Sequence, residues 1–112
     1  MTTNTGNGLK LDQNSRQNLI FKNNINGNNK GITIYKSDEN VIYSNNIFGN
    51  WYRQAEVFSN PSQNQWDNGE IGNYWGITHA SDNFEYDVYS EGAKNVDHHP
   101  LANKINLRAL TQ

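Results

Sequence analysis

The 112-residue chain contains no cysteine and only two prolines. The absence of cysteine excludes disulfide bonds and thiolate metal sites. The sequence also lacks an apolar run long enough to cross a bilayer as a helix, and we recognise no signal peptide in it. The formal net charge is −2 and the pI is about 5.8, without a basic patch. We therefore expect no nucleic-acid partner and no membrane insertion.

Hydrophobic residues are also scarce, at 34% of the chain, whereas asparagine is abundant. Such a composition is typical of disordered chains, unless a repeat allows a few apolar residues to stack. A repeat is present, because NLIFKNNINGN (18–28) is followed 22 residues later by NVIYSNNIFGN (40–50). The positions that recur unchanged are Asn18, Ile20, Asn23, Asn24, Ile25, Gly27 and Asn28, as Asn40, Ile42, Asn45, Asn46, Ile47, Gly49 and Asn50. A fixed period of this length indicates a stacked repeat architecture.

The repeat predicts short, stacked β-strands. Its isoleucines lie in short runs bounded by asparagine and glycine, without sustained helical spacing. A rung of about 22 residues holds three short strands and three turns. If successive rungs stack at the strand spacing of ~4.8 Å, Ile20 lies under Ile42 and Ile25 lies under Ile47.

The asparagines at matched positions predict side-chain ladders. Asn24 would lie under Asn46, and Asn64 continues the column of Asn18 and Asn40. Stacked amides can hydrogen-bond from rung to rung, and asparagine tolerates the left-handed conformation of sharp corners. The alternative is that these asparagines belong only to polar loops.

A third, degenerate rung and an end cap follow the two clear repeats. Gly8–Leu11 matches Gly31–Ile34, and Ala55 and Val57 continue the series. Trp66 falls over Ile20 and Ile42, so it would close the apolar column, with Trp75 as a second cap residue. The predicted inward positions are Leu9, Leu11, Ile20, Ile25, Ile32, Ile34, Ile42, Ile47, Ala55, Val57 and Trp66.

We therefore predict an all-β fold, a short parallel β-helix of two to three rungs with an aromatic C-terminal cap. Residues 1–7 would form a flexible N-terminus, 8–66 the rungs, and 67–112 the cap and its wrap. The first rung carries no visible N-terminal cap, which leaves its strands open to pairing. This end predicts either a homo-oligomer or a place in a longer β-helix.

Two C-terminal motifs sharpen a family resemblance. The pattern N-x-I-x-x-N-x-I, with GI-x-I on the next strand, is joined by WDNGEIGNYW (66–75) and VDHHPLANK (96–104). Together they resemble the C-terminal part of NosD-like periplasmic copper-binding proteins and of archaeal surface β-helix proteins. The resemblance implies a right-handed β-helix in a periplasmic, extracellular or cell-surface protein.

The same resemblance makes copper the candidate cofactor. Its candidate ligands are His79, Asp97, His98 and His99, since imidazole suits copper. However, adjacent residues on an extended chain point to opposite sides, so His98 and His99 seldom share one ion. The alternative is that Asp97 and His98 belong to the cap as structural residues.

One face of the predicted stack is apolar on its outside. Leu19 and Phe21 lie below Val41 and Tyr43, which gives an outward stripe. Such a stripe is usually covered, here by the C-terminal wrap. The alternative is a binding surface for a protein or a carbohydrate.

Catalysis is not expected. Right-handed β-helices include pectate lyases and polygalacturonases, which need paired carboxylates, or an arginine beside calcium-binding aspartates. The predicted outward residues, Lys10, Lys22, Thr33 and Ser44, supply neither. We predict a non-catalytic structural or binding module of an exported NosD-like or surface protein. The alternatives are copper handling through the histidines, and a carbohydrate-binding or carbohydrate-active β-helix.

Overall fold

The computed structural model describes residues 6–60, 64–77 and 84–107. This part of the chain is all-β, and no helix in it is long and apolar enough to cross a membrane. Its strands are β1 (Asn7–Leu11), β2 (Leu19–Ile20), β3 (Asn24–Ile25), β4 (Lys30–Tyr35), β5 (Val41–Ile42), β6 (Asn46–Ile47), β7 (Arg53–Asn60), β8 (Tyr86–Gly92) and β9 (Asn95–Asp97).

Successive strands of the chain belong to three different sheets. The largest has the order β1-β4-β7-β8-β9, and the two small sheets are β2-β5 and β3-β6. All neighbours are parallel except β8 and β9, which are antiparallel. We call β1–β3 rung 1 and β4–β6 rung 2, because each contributes one strand to each sheet.

The predicted register between the rungs is confirmed. Ile20 pairs with Ile42 and Ile25 with Ile47, at the offset of 22 residues. In the largest sheet, Ile32 pairs with both Leu9 and Ala55. Equivalent side chains therefore lie one above another, and a side chain that points inward on one rung does so on the next.

The same corners recur in both rungs. Lys22 and Ser44, which are equivalent, have φ angles of 59° and 55°, and Gly27 and Gly49 have φ angles of 72° and 65°. A left-handed residue other than glycine costs roughly 1–2 kcal/mol. Backbone hydrogen bonds between corners offset part of that cost, with Lys22 N–H donating to the Ser44 carbonyl at 2.9 Å.

The core is a set of stacked apolar columns between the sheets. Nine of the eleven predicted inward residues are buried, whereas Leu9 and Leu11 of rung 1 are only half-buried against them. Trp75 and Val88 complete the buried cluster at the opposite end. The core is thus closed near the tryptophans and more open at rung 1.

Strand β8 lies in the region predicted as cap and wrap, where periodicity had assigned no register. It pairs in parallel with β7, with Glu56 opposite Tyr89, and the register shifts between Phe58 and Asn60. Val88 buries its side chain in the core. The largest sheet therefore gains a fourth parallel strand after the 22-residue period has been lost.

Candidate functional site

One asparagine column runs the length of the stack. The backbone N–H and Nδ2 of Asn18 donate to Asn40 Oδ1 at 3.0 and 2.9 Å. The same two groups of Asn40 donate to Asn64 Oδ1 at 3.1 and 2.9 Å. Asn64 N–H then donates to Asn95 Oδ1 at 3.2 Å. The column predicted from Asn18, Asn40 and Asn64 thus extends to one further residue.

A second column ends on a carboxylate. Asn23 donates through its N–H and Nδ2 to Asn45 Oδ1, both at 3.0 Å. Asn45 donates to Asn73 Oδ1 at 3.2 and 2.9 Å, and Asn73 N–H donates to Asp97 Oδ2 at 2.7 Å. Sequence reasoning did not assign this ladder, although Asn23 and Asn45 are among the recurring positions.

A third column is shorter. Asn28 donates to Asn50 Oδ1 through its N–H at 3.0 Å and its Nδ2 at 3.1 Å. Asn50 donates in the same way to Gln54 Oε1, at 3.1 and 2.8 Å. In all three columns the donors of one rung face the side-chain acceptor of the next, so the ladders share one direction.

The predicted pair Asn24 and Asn46 does not form a ladder like the other three, because Asn46 also binds the C-terminal segment. Asn46 Nδ2 donates to Asn24 Oδ1 at 2.7 Å and to the Ile105 carbonyl at 2.9 Å. Ile105 N–H returns a bond to Asn46 Oδ1 at 2.8 Å. Ile105, in the C-terminal tail (residues 102–107), therefore binds both ends of the Asn46 amide, whereas Tyr74 pairs with Asn46 at the position that a third asparagine of this column would take.

Two indoles close the stack. Trp66 Nε1 donates to Asn95 Oδ1 at 3.0 Å, and Trp75 Nε1 donates to Asp97 Oδ2 at 2.8 Å. The ring centroids of the two tryptophans are 5.7 Å apart, and Tyr86 stacks on Trp75 at 4.1 Å. Each cap tryptophan therefore binds the terminal acceptor of one ladder.

Asp97 is fully buried, and both of its carboxylate oxygens accept hydrogen bonds. Besides Trp75 and Asn73, it accepts His99 N–H on Oδ1 at 2.9 Å. Burial raises the pKa of Asp97, although the hydrogen bonds from Trp75, Asn73 and His99 oppose the rise. A Cβ on Gly72 would lie 1.9 Å from Asp97 Oδ1, so this carboxylate requires glycine beside it.

His98 lies outside the cap and is exposed. Its Nδ1 is 2.5 Å from Glu85 Oε2, and its backbone N–H donates to Asp67 Oδ2 at 3.0 Å. The hydrogen bond to Glu85 raises the pKa of His98 above its usual value. Glu85, His98 and Lys94 line a surface cavity of about 520 Å³ beside Trp66.

The candidate copper ligands do not form a metal centre in the described part of the chain. There, no three histidine, cysteine, aspartate or glutamate side chains are gathered to hold an ion. Asp97 already accepts hydrogen bonds on both oxygens, His98 is paired with Glu85, and His79 lies outside the described residues. The described side chains therefore form no preassembled copper site.

Sequence reasoning missed one charged group on the outside of the largest sheet. Glu56 is fully buried, and it accepts from Lys30 Nζ and Arg53 Nη1, both at 2.9 Å, and from Thr33 Oγ1 at 3.0 Å. Burial alone would raise the pKa of Glu56. The hydrogen bonds from Lys30, Arg53 and Thr33 outweigh it and hold the pKa below its usual value. Glu56 is thus an ion-paired carboxylate.

The outward apolar stripe is only partly covered. The Phe21 and Tyr43 rings stack with centroids 5.4 Å apart. Tyr43 and Val41 are half-buried, whereas Leu19 is 64% exposed and Phe21 is 40% exposed. A cavity of about 440 Å³ runs beside the two rings. It is also lined by Lys22, Ser44, Ile71, Leu101 and Ile105.

Comparison with known proteins gives one family. The family model described as periplasmic copper-binding protein (NosD) matches residues 1–79. The matched segment holds both rungs and the Trp66–Trp75 motif, and it stops before β8 and the VDHHPLANK motif. No curated protein and no solved structure matches the chain. Because the match covers 79 of 112 residues, the chain belongs to the NosD family of periplasmic copper-binding proteins.

Proposed function

We propose that this chain is a non-catalytic structural module, a short right-handed parallel β-helix closed at its C-terminal end, in an exported periplasmic protein. The observation that carries the proposal is the way the ladders end. The columns stop on Asn95, Asp97 and Gln54, and the cap tryptophans bind the first two of these residues. Such an arrangement supports a role in ending a stack.

The β-helix interpretation draws support from three features of rungs 1 and 2. Their strands pair in parallel and in register in each sheet. Their corners repeat the same left-handed conformations, and their isoleucines share one buried cluster. A coil that adds one strand to each sheet per turn accounts for all three features.

The non-catalytic interpretation draws support from the ion pairs. Glu56 is held by Lys30 and Arg53, and the buried Asp38 pairs with Arg16 Nε at 2.8 Å. A carboxylate whose oxygens are held by cations is a poor general base, because proton uptake would break the pair. The periplasmic location is proposed from the description of the family.

Native-state hydrogen exchange on the intact chain tests the module. The backbone N–H groups of Ile42, Asn46 and Ile47 donate to neighbouring rungs, so we expect them to exchange slowly and together, through one cooperative opening. Added copper should not change their rates. Fast and independent exchange at these amides would reject a stacked module.

Copper handling is the second candidate, and the family description favours it. Its ligands would be the histidines, of which His98 and His99 are exposed. Elemental analysis after copper loading and desalting tests it, beside a His98→Ala/His99→Ala variant. Stoichiometric copper that the variant loses would establish this function, whereas no retained copper would leave the structural role.

Carbohydrate binding is the third candidate, and the cavity beside Phe21 and Tyr43 favours it. Aromatic rings suit the apolar faces of sugars, although these two rings also cover part of each other. A glycan array tests it. Binding that is lost in Tyr43→Ala, while the fold is kept, would support this function.

A further inference from the structure

The cavity beside Phe21 and Tyr43 has an apolar wall that is built from distant parts of the chain. The two stacked rings come from neighbouring rungs. Ile71, Leu101 and Ile105 complete the wall from the C-terminal half of the chain. Phe21 and Ile71 keep 40% and 41% of their surface exposed. With a volume of about 440 Å³, the cavity falls within the size range of small-molecule sites.

The backbone around this cavity is already hydrogen-bonded. Both the N–H and the carbonyl are paired in four of the lining residues, Tyr43, Ser44, Ile71 and Ile105. The N–H of Leu101 is paired as well. An added peptide strand depends on main-chain hydrogen bonds, and a sugar must replace the water bound to its hydroxyl groups. A hydrocarbon chain has no such requirement, so it suits this wall better than either.

The charge at the cavity is positive. Lys22 is the only charged residue among the described residues that line it. Lys22 Nζ lies 5.8 Å from the centroid of the Phe21 ring, and it forms no ion pair within the described part of the chain. A second cavity shares Ile105 with the first, and there Lys104 is the only charged residue among the described lining residues. An anionic group therefore complements both cavities.

We propose that the cavity beside Phe21 and Tyr43 binds a free fatty acid, a single hydrocarbon chain that ends in a carboxylate. The chain packs against Phe21, Tyr43 and Leu101, and the carboxylate lies beside Lys22. An apolar wall with a small number of placed polar groups is the usual composition of a small-molecule site. This binding activity goes beyond the structural role, and it assigns the cavity to a lipid-like ligand instead of a sugar.

Isothermal titration calorimetry of the intact chain with dodecanoate, at concentrations below micelle formation, tests the proposal. We expect one-to-one binding with a dissociation constant of about 1 mM or lower. Octanoate, with four fewer methylene groups, should bind at least about tenfold more weakly, because less apolar surface is buried. A dissociation constant for dodecanoate well above this value, or equal binding of the two acids, would overturn the proposal.

The head group is tested with dodecyltrimethylammonium, which has the same chain length and the opposite charge. We expect it to bind about fivefold more weakly than dodecanoate. Lys22→Gln should reduce that preference by weakening dodecanoate binding about two- to fivefold. Lys36→Gln is the matched control, since Lys36 Nζ also lies over a ring, 5.3 Å from the centroid of Tyr35, but does not line the cavity. Equal affinity for the two head groups would contradict the proposed site.

The apolar wall is tested with Phe21→Ala, which should weaken dodecanoate binding about fivefold or more. Leu19→Ala is its control, because Leu19 belongs to the same outward stripe and is more exposed, yet does not line the cavity. Circular dichroism establishes that each variant is folded, and Lys22→Gln still decides the question if Phe21→Ala is not. Equal losses in Phe21→Ala and Leu19→Ala would show non-specific adsorption to the stripe.

Methyl NMR locates the ligand and separates the possible occupants. Dodecanoate should shift the methyl signals of Ile71, Leu101 and Ile105, and it should leave those of the fully buried Ile25 in place. Shifts that avoid the three lining residues would overturn the proposal. An oligosaccharide or an acidic peptide that shifts these signals, where dodecanoate does not, would assign the cavity to that other class of ligand.

Discussion

The indole of Trp75 and the backbone of Asn73 donate to the same oxygen, Asp97 Oδ2, at 2.8 and 2.7 Å. One carboxylate oxygen thus joins the last ladder asparagine to the cap. Asp97 Oδ1 accepts His99 N–H as well, so the site needs a side chain that accepts on both atoms. An ionised carboxylate has this property and an amide does not.

Asp97→Asn should therefore destabilise the chain although it preserves the size of the side chain. If the amide oxygen takes the place of Oδ2, its Nδ2 faces His99 N–H, and two donors meet at a part-buried contact. We expect a loss of about 1–3 kcal/mol in the free energy of unfolding, measured by urea denaturation. Asp87→Asn, at an exposed position of β8, is the control. Equal stability of both variants would contradict the role of Asp97.

Ile42→Asn should strongly destabilise the chain. Ile42 is fully buried, between its pairing partner Ile20 and the cap side of the core. The change removes apolar contacts and places an unpaired amide in the column, at a combined cost of at least about 4 kcal/mol, against a total stability of about 5–15 kcal/mol. Circular dichroism and thermal melting measure the loss.

Val41→Asn is the matched control for that change, since Val41 precedes Ile42 in β5 but is only half-buried. We expect it to leave the melting temperature within a few degrees. If both variants melted alike, the alternation of inward and outward residues in β5 would be wrong.

The repeat explains why so much of rungs 1 and 2 was predictable. Identical residues 22 positions apart specify one register, and a slip by one residue would expose the isoleucines. The end of the stack has no such signal. Asn73 follows Asn45 by 28 residues, and Asp97 follows Asn73 by 24, so periodicity does not reveal that they continue one ladder. Glu56 escaped prediction because two of its partners, Lys30 and Thr33, lie on the neighbouring strand β4 and are distant in sequence.

The pair of His98 and Glu85 predicts a weak pH dependence of stability. Glu85 raises the pKa of His98 in the folded chain. The stabilisation is therefore complete below the unfolded pKa of about 6.5 and is lost as the pH rises through the higher folded value. Between about pH 6 and pH 9, we expect the melting temperature to fall more in the natural chain than in His98→Gln.

The difference should be a few degrees at most, because both side chains are exposed and the pair is screened by solvent. His99→Gln is the control, since it leaves the contact between His98 and Glu85 intact. A pH profile of His98→Gln that matches the natural chain would show that this pair does not contribute.

Asn46→Ala should release the tail while leaving the rest of the stack folded. Asn46 makes two hydrogen bonds to Ile105, and alanine would leave the N–H and carbonyl of that residue without them. Lys104, the exposed neighbour of Ile105, would then be held less firmly. We expect limited trypsin digestion to cleave after Lys104 several times faster in the variant, because local opening governs cleavage.

Cleavage after the exposed Lys94, between β8 and β9, is the internal control and should keep its rate. If both sites were cleaved faster by the same factor, the change would have loosened the whole stack, and Asn46 would not act specifically on the tail.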